Sequence, residues 1–485
     1  MTWACSSRTP PAGVPASPEP GRPAEPSGAV VATPEPPVSP PAATAPRPEQ
    51  EAPGCALIVE PGEPIATVAL SERVDPSNAP YPSNESERLL FRQLYETLVR
   101  ADCDGHLRPG LAASWRLDGN GRTWIVTLRE NARFSDGTPV TAAAVRASWT
   151  RDGIGDELLP HVSRLVQSID LMGEGVLAIN LRSQRVDMPM ALAHSDLAVA
   201  RSVPDSPWPL GTRSGRIAPE SSPVVAGATA ITVARDNLPP IRFLIAPGDP
   251  RDLLDEGVDL LLTRDPSALD YAATLPQFQS VPLAWQRTHV LVTPGRPRSS
   301  PLLSEDARRV LADDAVRGEA RGAAGPFWWQ TLPPDCELPQ APRRNQSSFT
   351  PRIVYDASDG ASRDLAERFV GLVRASGPAA AMFLDAIIPD RPRRTYQRAT
   401  GLTGEPLALA RRLGTDAGYM MAVDSRPIDP CRDLQSLIDS ARWLDPETIL
   451  PLVETRLQAI LRRGRSGATA EWDGGLVIAG VNAPR

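Results

Sequence analysis

Hydrophobic and polar positions change their spacing several times along this chain, and each spacing predicts an element. Asn84-Glu85-Ser86-Glu87 has the form of a capping box, in which Asn84 accepts from the first-turn amides and Glu87 reaches back. Behind it Leu90, Leu94 and Leu98 recur with Phe91 and Tyr95 at helical spacing, which predicts an amphipathic helix from Asn84 to Val99. Trp124-Ile125-Val126-Thr127-Leu128 alternates, placing Trp124, Val126 and Leu128 on one face of a strand. Gly119-Asn120-Gly121 before it reads as a hairpin turn, and Ser135-Asp136-Gly137-Thr138-Pro139 after it as a second turn. Thr141 then caps a helix from Ala142 to Trp149.

Short apolar runs at Ile65 to Leu70, Ile241 to Ile245, Val258 to Leu262, Ile353 to Tyr355 and Leu450 to Thr455 predict strands. Pro250 to Glu256, Ala361 to Arg374 and Leu434 to Leu444 predict helices. The mixture has no strict βαβ rhythm and no internal repeat, so it points to α/β lobes with mixed sheets and away from solenoids and propellers.

The patterned part begins only at residue 55. Residues 1–54 contain 15 prolines and almost no large apolar side chains, a composition that cannot bury a core and predicts an extended, disordered linker. Before that linker, Thr2-Trp3-Ala4-Cys5-Ser6-Ser7 has the form of the end of a bacterial lipoprotein signal, whose Cys is cleaved and acylated. The charged and apolar parts that precede such an end are missing. Either Cys5 is the lipidated residue of a truncated signal, or it is an ordinary cysteine.

At 485 residues the chain has room for two or three lobes, given about 100–200 residues per domain. A formal net charge of -7 gives no global attraction to nucleic acid or anionic membrane. The chain has no Lys, which excludes lysine-based catalysis. No stretch approaches the run of roughly 18 apolar residues that a membrane-spanning helix needs. With four His, no H-x-x-x-H and no C-x-x-C, neither a metal site nor a cofactor is expected. G-x-S-x-G and P-loop patterns are absent too, so the expectation is a protein that binds and is not an enzyme. Setting Cys5 aside leaves Cys55, Cys103, Cys336 and Cys431, which allow two disulfides in three connectivities, or four thiols.

The ordered block formed by Asn84 to Val99, Asp104-Gly105-His106-Leu107-Arg108-Pro109-Gly110-Leu111-Ala112-Ala113-Ser114-Trp115, Thr123 to Arg129 and Phe134 to Thr141 resembles the extracellular solute-binding proteins of family 5. These are the peptide-, dipeptide- and nickel-chelate-binding components of ABC importers. Residues 60–150 carry the match; Pro209-Leu210-Gly211-Thr212, Asp252 to Asp259 and Pro427-Ile428-Asp429-Pro430 extend it faintly. The resemblance implies a two-lobed periplasmic-binding-protein fold of the large type II form, with mixed sheets and a hinge. Residues 55–295 would form lobe 1, 296–455 lobe 2, and 456–485 would return to lobe 1. It favours pairing Cys55 with Cys103 and Cys336 with Cys431, since each pair then stays within one lobe.

Function follows as an expectation of the same resemblance: a monomeric binding component captures a small solute, a short peptide first, and delivers it to an ABC permease and its ATPase subunits. It would act at the periplasmic or extracellular face, touching membrane only through a lipid on Cys5. Candidate ligand contacts are Glu72 and Arg73 at a strand end, and Asp424, Arg426 and Asp429 near the acidic-Pro pair. Two departures stand out. Gly211-Thr212 continues as Arg213-Ser214, and the position where a peptide binder carries an Asp for the ligand's amine is Arg426, which favours an anionic group. These departures keep a second expectation in view, a binding fold that no longer transports and acts as a sensor or surface partner. Trp115, Trp124 and Trp149 are read as core, and of Trp328 and Trp329 one is read as core.

Overall fold

A computed structural model describes residues 55–478 apart from 152–156, 186, 220–229, 247–248, 294–310, 312–319, 323–326, 333–335, 337, 339–351, 358, 375–397, 405, 442, 445 and 447–448. The linker and Cys5 lie outside the described residues. In chain order the main elements are β1 (Thr67–Leu70), α1 (Glu85–Phe91), β2 (Ala112–Leu117), β3 (Thr123–Leu128), α2 (Ala142–Ser148), β4 (Val166–Leu171) and β5 (Val176–Leu181). There follow β6 (Gly215–Ile217), β7 (Ala230–Arg235), β8 (Leu238–Ile245), α3 (Arg251–Asp255), β9 (Leu260–Thr263), α4 (Pro266–Thr274) and β10 (Phe278–Val292). The rest comprises β11 (Ala320–Gly322), β12 (Arg352–Asp356), α5 (Gly360–Arg374), β13 (Arg398–Leu402), α6 (Pro406–Leu413), β14 (Gly418–Asp424), α7 (Pro430–Ser440), β15 (Ile449–Arg462), β16 (Ala468–Ala470) and β17 (Leu476–Ile478).

One mixed sheet of 11 strands runs through both lobes in the order β13-β12-β14-β10-β15-β9-β1-β8-β7-β6, with β11 added on β15. β1 is parallel to β8 and β9, while β10 and β15 pair antiparallel along most of their length. The early end of β10 contributes Phe278 and Leu283 to the cores around β1, β8 and β9. Its late end contributes Val290, Leu291 and Val292 to the cores around β12 and β14. Between those ends the β10–β15 register slips at Pro282/Trp285 and Trp285/Arg287. A separate antiparallel sheet, β2-β3-β5-β4, closes over a further core that buries Trp149, Val126 and Ile179.

The strand at Trp124 alternates as expected, with Trp124, Val126 and Leu128 buried, and Trp149 is fully buried. The helix at Asn84 does not reach Val99; it ends at Phe91. Tertiary partners account for this, because they take the backbone groups that a continuing helix needs. The Leu94 carbonyl accepts from Arg213 N at 3.1 Å, the Glu96 N–H donates to Thr212 Oγ1 at 3.0 Å, and the Glu96 carbonyl accepts from Val199 N at 2.8 Å. The capping box is only half formed. Asn84 Oδ1 accepts from Glu87 N at 2.8 Å, but the buried Glu87 carboxylate turns to Ser83 N, Asn78 Nδ2 and Asp75 N instead of back to Asn84.

Gly211 explains the glycine-threonine segment without a ligand: a Cβ there would lie 2.0 Å from the Leu94 carbonyl oxygen. Asp259, at the end of the Gly257-Val258-Asp259 passage, is buried and accepts from Ala66 N and Thr67 N while pairing with Arg465. Cys55 and Cys103 form a disulfide, as do Cys336 and Cys431. Among the described residues no helix is long and apolar enough to cross a membrane.

Candidate functional site

Where the lobes meet, the wall of the first lobe is α1 and the turn between β16 and β17. Arg88 on α1 and Arg92, its helical C-cap, stand one turn apart, so both guanidinium groups leave the same side of the helix. Arg92 pairs with Glu471 and Asp473, and all three side chains are buried. Gly474 and Gly475 make this possible: a Cβ at Gly475 would meet the Arg92 guanidinium, and one at Gly474 would meet the Gln286 amide. Gln286 in turn donates to the Asp473 carbonyl at 2.8 Å and accepts from Arg264. Burial pushes Asp473 up, but Arg92, Arg88 and His194 outweigh it and hold the carboxyl down to about 2. Arg88 pairs with Glu85 at 3.5 Å and donates to Ser195 Oγ at 3.1 Å.

A cavity of about 20 Å³ lies behind this wall, lined by Arg88, Arg92, Tyr95, Ser195, Arg213 and Glu471. That volume holds little more than a water molecule. It is too small for a solute of peptide size, so the place to look for one is the junction itself.

The wall of the second lobe is residues 424–433, between β14 and α7. Asp424 Oδ1 accepts from Arg426 N at 2.9 Å, and the Asp424 carbonyl accepts from Trp328 Nε1 at 2.9 Å. The Arg426 guanidinium lies 5.4 Å from the centroid of the Trp472 ring on the opposite wall. Asp429 is the N-cap of α7, accepting from Arg432 N at 3.2 Å. Arg185 donates to the Ile428 carbonyl at 3.0 Å, and Arg164 pairs with Asp433 at 3.5 Å, so this segment rests directly on the first lobe. Burial pushes the Asp433 carboxyl up to about 6, with Asp429 and Asp424 adding to the rise against Arg164 and His194.

Of the residues singled out in the sequence, Asp424 and Arg426 stand at the junction, whereas the Asp429 carboxylate is occupied as a cap. Glu72 half-buries its side chain at the start of α1, where Glu72 Oε2 accepts from Ser86 N and Ser86 Oγ accepts from Glu72 N. Arg73 is exposed, and its carbonyl accepts from Asn84 Nδ2. Trp329 packs in the core on Phe327, leaving Trp328 to hold the Asp424 carbonyl. Sequence reasoning missed Arg88, Arg92, Trp472 and Asp473. The signal for the first two was the i, i+4 spacing of cations on a helix whose other face is apolar; the turn Trp472-Asp473-Gly474-Gly475 offered only its paired glycines. Asp102, Asp104 and His106 come together at the surface, but Asp102 already accepts from Asp104 N and His106 N and pairs with Arg108.

Residues 106–200 match the family described as bacterial extracellular solute-binding proteins, family 5 middle. Over 93 residues the chain is 39% identical to the periplasmic oligopeptide-binding protein OppA of Escherichia coli K12, covering 18% of this chain and 17% of that one. The chain spans about a quarter of the length of another curated relative, from Haemophilus influenzae. In structure it is similar to HbpA2 of Haemophilus parasuis, with a TM-score of 0.56 and 14% identity over 86% of this chain and 99% of that one. It is also similar to NikA of Brucella suis in complex with Fe(III)-EDTA, with a TM-score of 0.55 and 16% identity over 82% of this chain and 95% of that one. These likenesses show the fold, that of the two-lobed solute-binding proteins.

Proposed function

We propose that the chain belongs to family 5 of the bacterial extracellular solute-binding proteins, whose model its residues 106–200 match and whose two-lobed fold it is similar to, and that it is the binding component of an ABC importer. It captures a small solute, a short peptide first, between its lobes and delivers it to a membrane permease driven by ATPase subunits. The observation that carries this reading is the pair β10 and β15. Each runs from the cores of one lobe into those of the other, and two of the three irregularities of their ladder, at Pro282/Trp285 and Trp285/Arg287, fall between those cores, where bending disturbs least packing; the third is at His289/Val290. We place the passage between lobes at residues 283–287 and 455–458. Closure then brings α1 and the 471–475 turn against residues 424–433, and a ligand held by both walls favours the closed form by its differential affinity.

The protein works as a monomer at the periplasmic or extracellular face, tethered by a lipid on Cys5 through the Pro-rich linker. The test is a thermal-shift and calorimetric screen of the full chain against di- to pentapeptides, nickel chelates, organic acids, amines and sugars. A ligand at about 100 times its Kd adds roughly 2.7 kcal/mol of stability. A saturable shift with one class supports the reading, and silence across all classes from ligand-stripped protein removes it.

A further inference from the structure

Resting on the reading of the lobe junction as a ligand site, we infer that the ligand presents an oxyanion, a carboxylate or a phosphate, to Arg426. Among the described residues Arg426 is a half-buried cation at the junction with no carboxylate in salt-bridge contact. The arginines beside it have acidic partners, Arg88 with Glu85, Arg92 with Glu471 and Asp473, Arg264 with Glu85, and Arg164 with Asp433, while Arg432, the other arginine of the second wall, is exposed on α7. Arg426 has the face of Trp472 instead, at 5.4 Å. The carboxylates near it are already engaged: Asp473 with Arg92, and Glu454 with Arg321 at 2.7 Å. Asp424 spends one oxygen on the Arg426 backbone N–H, which fixes the loop and leaves the guanidinium without a salt bridge.

A second observation points the same way. Trp472, the ring beneath that guanidinium, has a buried indole N–H with no acceptor. A buried donor without an acceptor is costly for a protein to keep, and the half-buried guanidinium above it adds a positive charge with no salt bridge among the described residues, so an acceptor arriving from outside would serve this corner of the junction. Stacking on an aromatic face holds the guanidinium plane fixed and leaves its edge donors for a bidentate contact, the geometry that carboxylates and phosphates fit. Because Arg426 comes from one lobe and Trp472 from the other, the stack forms only when the lobes meet. The oxyanion would therefore be gripped at closure.

The experiment is isothermal titration of ligand-stripped protein with four probes: N-acetyl-alanyl-alanine, with a carboxylate and no amine; glycerol 3-phosphate; alanyl-alanine amide, with an amine and no carboxylate; and a neutral disaccharide. Each is run on the parent, Arg426→Gln and Arg426→Lys, with the ligand-free melting curve of each variant confirming that it folds. The expected result is binding of the carboxylate or the phosphate probe, weakened on the order of tenfold to a hundredfold in Arg426→Gln and partly restored in Arg426→Lys. Which of the two probes binds identifies the source of the oxyanion. Oxyanion binding that survives Arg426→Gln unchanged overturns the inference. So does binding of the amide or the disaccharide alone, which leaves the binding-protein reading standing. Silence with all four probes and throughout the wider solute screen overturns both.

Discussion

The two walls of the junction use similar side chains in different ways. On the first lobe, Arg92, Glu471 and Asp473 neutralise one another out of water, and Arg88 and Arg264 share Glu85. On the second, Arg426 and Asp424 sit two residues apart with neither side chain in a salt bridge among the described residues, although Arg426 is stacked against Trp472. A wall whose charges close on themselves acts as scaffolding. On the proposed reading, a wall whose charges stay open is where a ligand would be told from its competitors. Counting charged residues does not separate the two; asking which of them already have partners does.

The comparison breaks most sharply at Arg92. Arg92→Met removes the cation between two buried carboxylates, and stripping one member of a buried network costs about 3–5 kcal/mol. Urea denaturation should show that loss, and a change below about 1 kcal/mol would mean the first wall is no network. Gly211→Ala probes the same wall through packing. Its Cβ would meet the Leu94 carbonyl oxygen at 2.0 Å, and relieving such an overlap costs about 1–3 kcal/mol. A melting temperature equal to the parent's would show that the segment holding Leu94 can yield.

How much of this could be read from residues depends on how local the cause is. The strand at Trp124, the cap at Thr141 and the helix start at Asn84 were legible because each is decided within a few positions. The end of α1 was not, because Thr212, Arg213 and Val199, more than a hundred residues away, take the backbone groups of Leu94 and Glu96. The long strand β10 was missed for a related reason. Its middle, Pro282 to Arg287, carries no clean alternation, since the ladder there slips as the strand leaves one core for another. At the site, Asp424 and Arg426 were found by resemblance. Their partner wall was not, because Trp472 and Asp473 are placed by the flanking β16 and β17, whose Ala468, Leu476 and Ile478 pack into the core of β1, far earlier in the chain.

Asp433 tests the contact between the walls by pH. Its carboxyl is raised to about 6 in the folded protein and titrates near 3.9 when unfolded, so the stability it contributes is complete below about pH 4 and is lost as pH rises through 6. Asp433→Asn should therefore melt higher than the parent at pH 8, by the equivalent of about 1–2 kcal/mol once its partial exposure is discounted. The two curves should converge by pH 4. A gap that is the same at every pH would show that the Asp433 carboxyl is not raised on folding, and a variant melting below the parent at pH 8 would show that pairing with Arg164 outweighs burial.

The smallest expected change is the one that separates the walls most directly. Arg426→Gln in the ligand-free protein loses a cation stacked on a ring at a half-buried site, an interaction of about 0.5–1 kcal/mol, and leaves no carboxylate stranded. Denaturation of this variant beside Arg92→Met compares the loss of one arginine from each wall. A cost several times smaller than that at Arg92 means the second wall is held ready and contributes little to holding the fold together. An equal cost would put Arg426 inside the scaffold, with its charge already balanced by Asp473, Glu454 and Asp424 through space. Selectivity would then have to come from another group at the junction, and Asp424, exposed and without a salt bridge among the described residues, would be the side chain to change next.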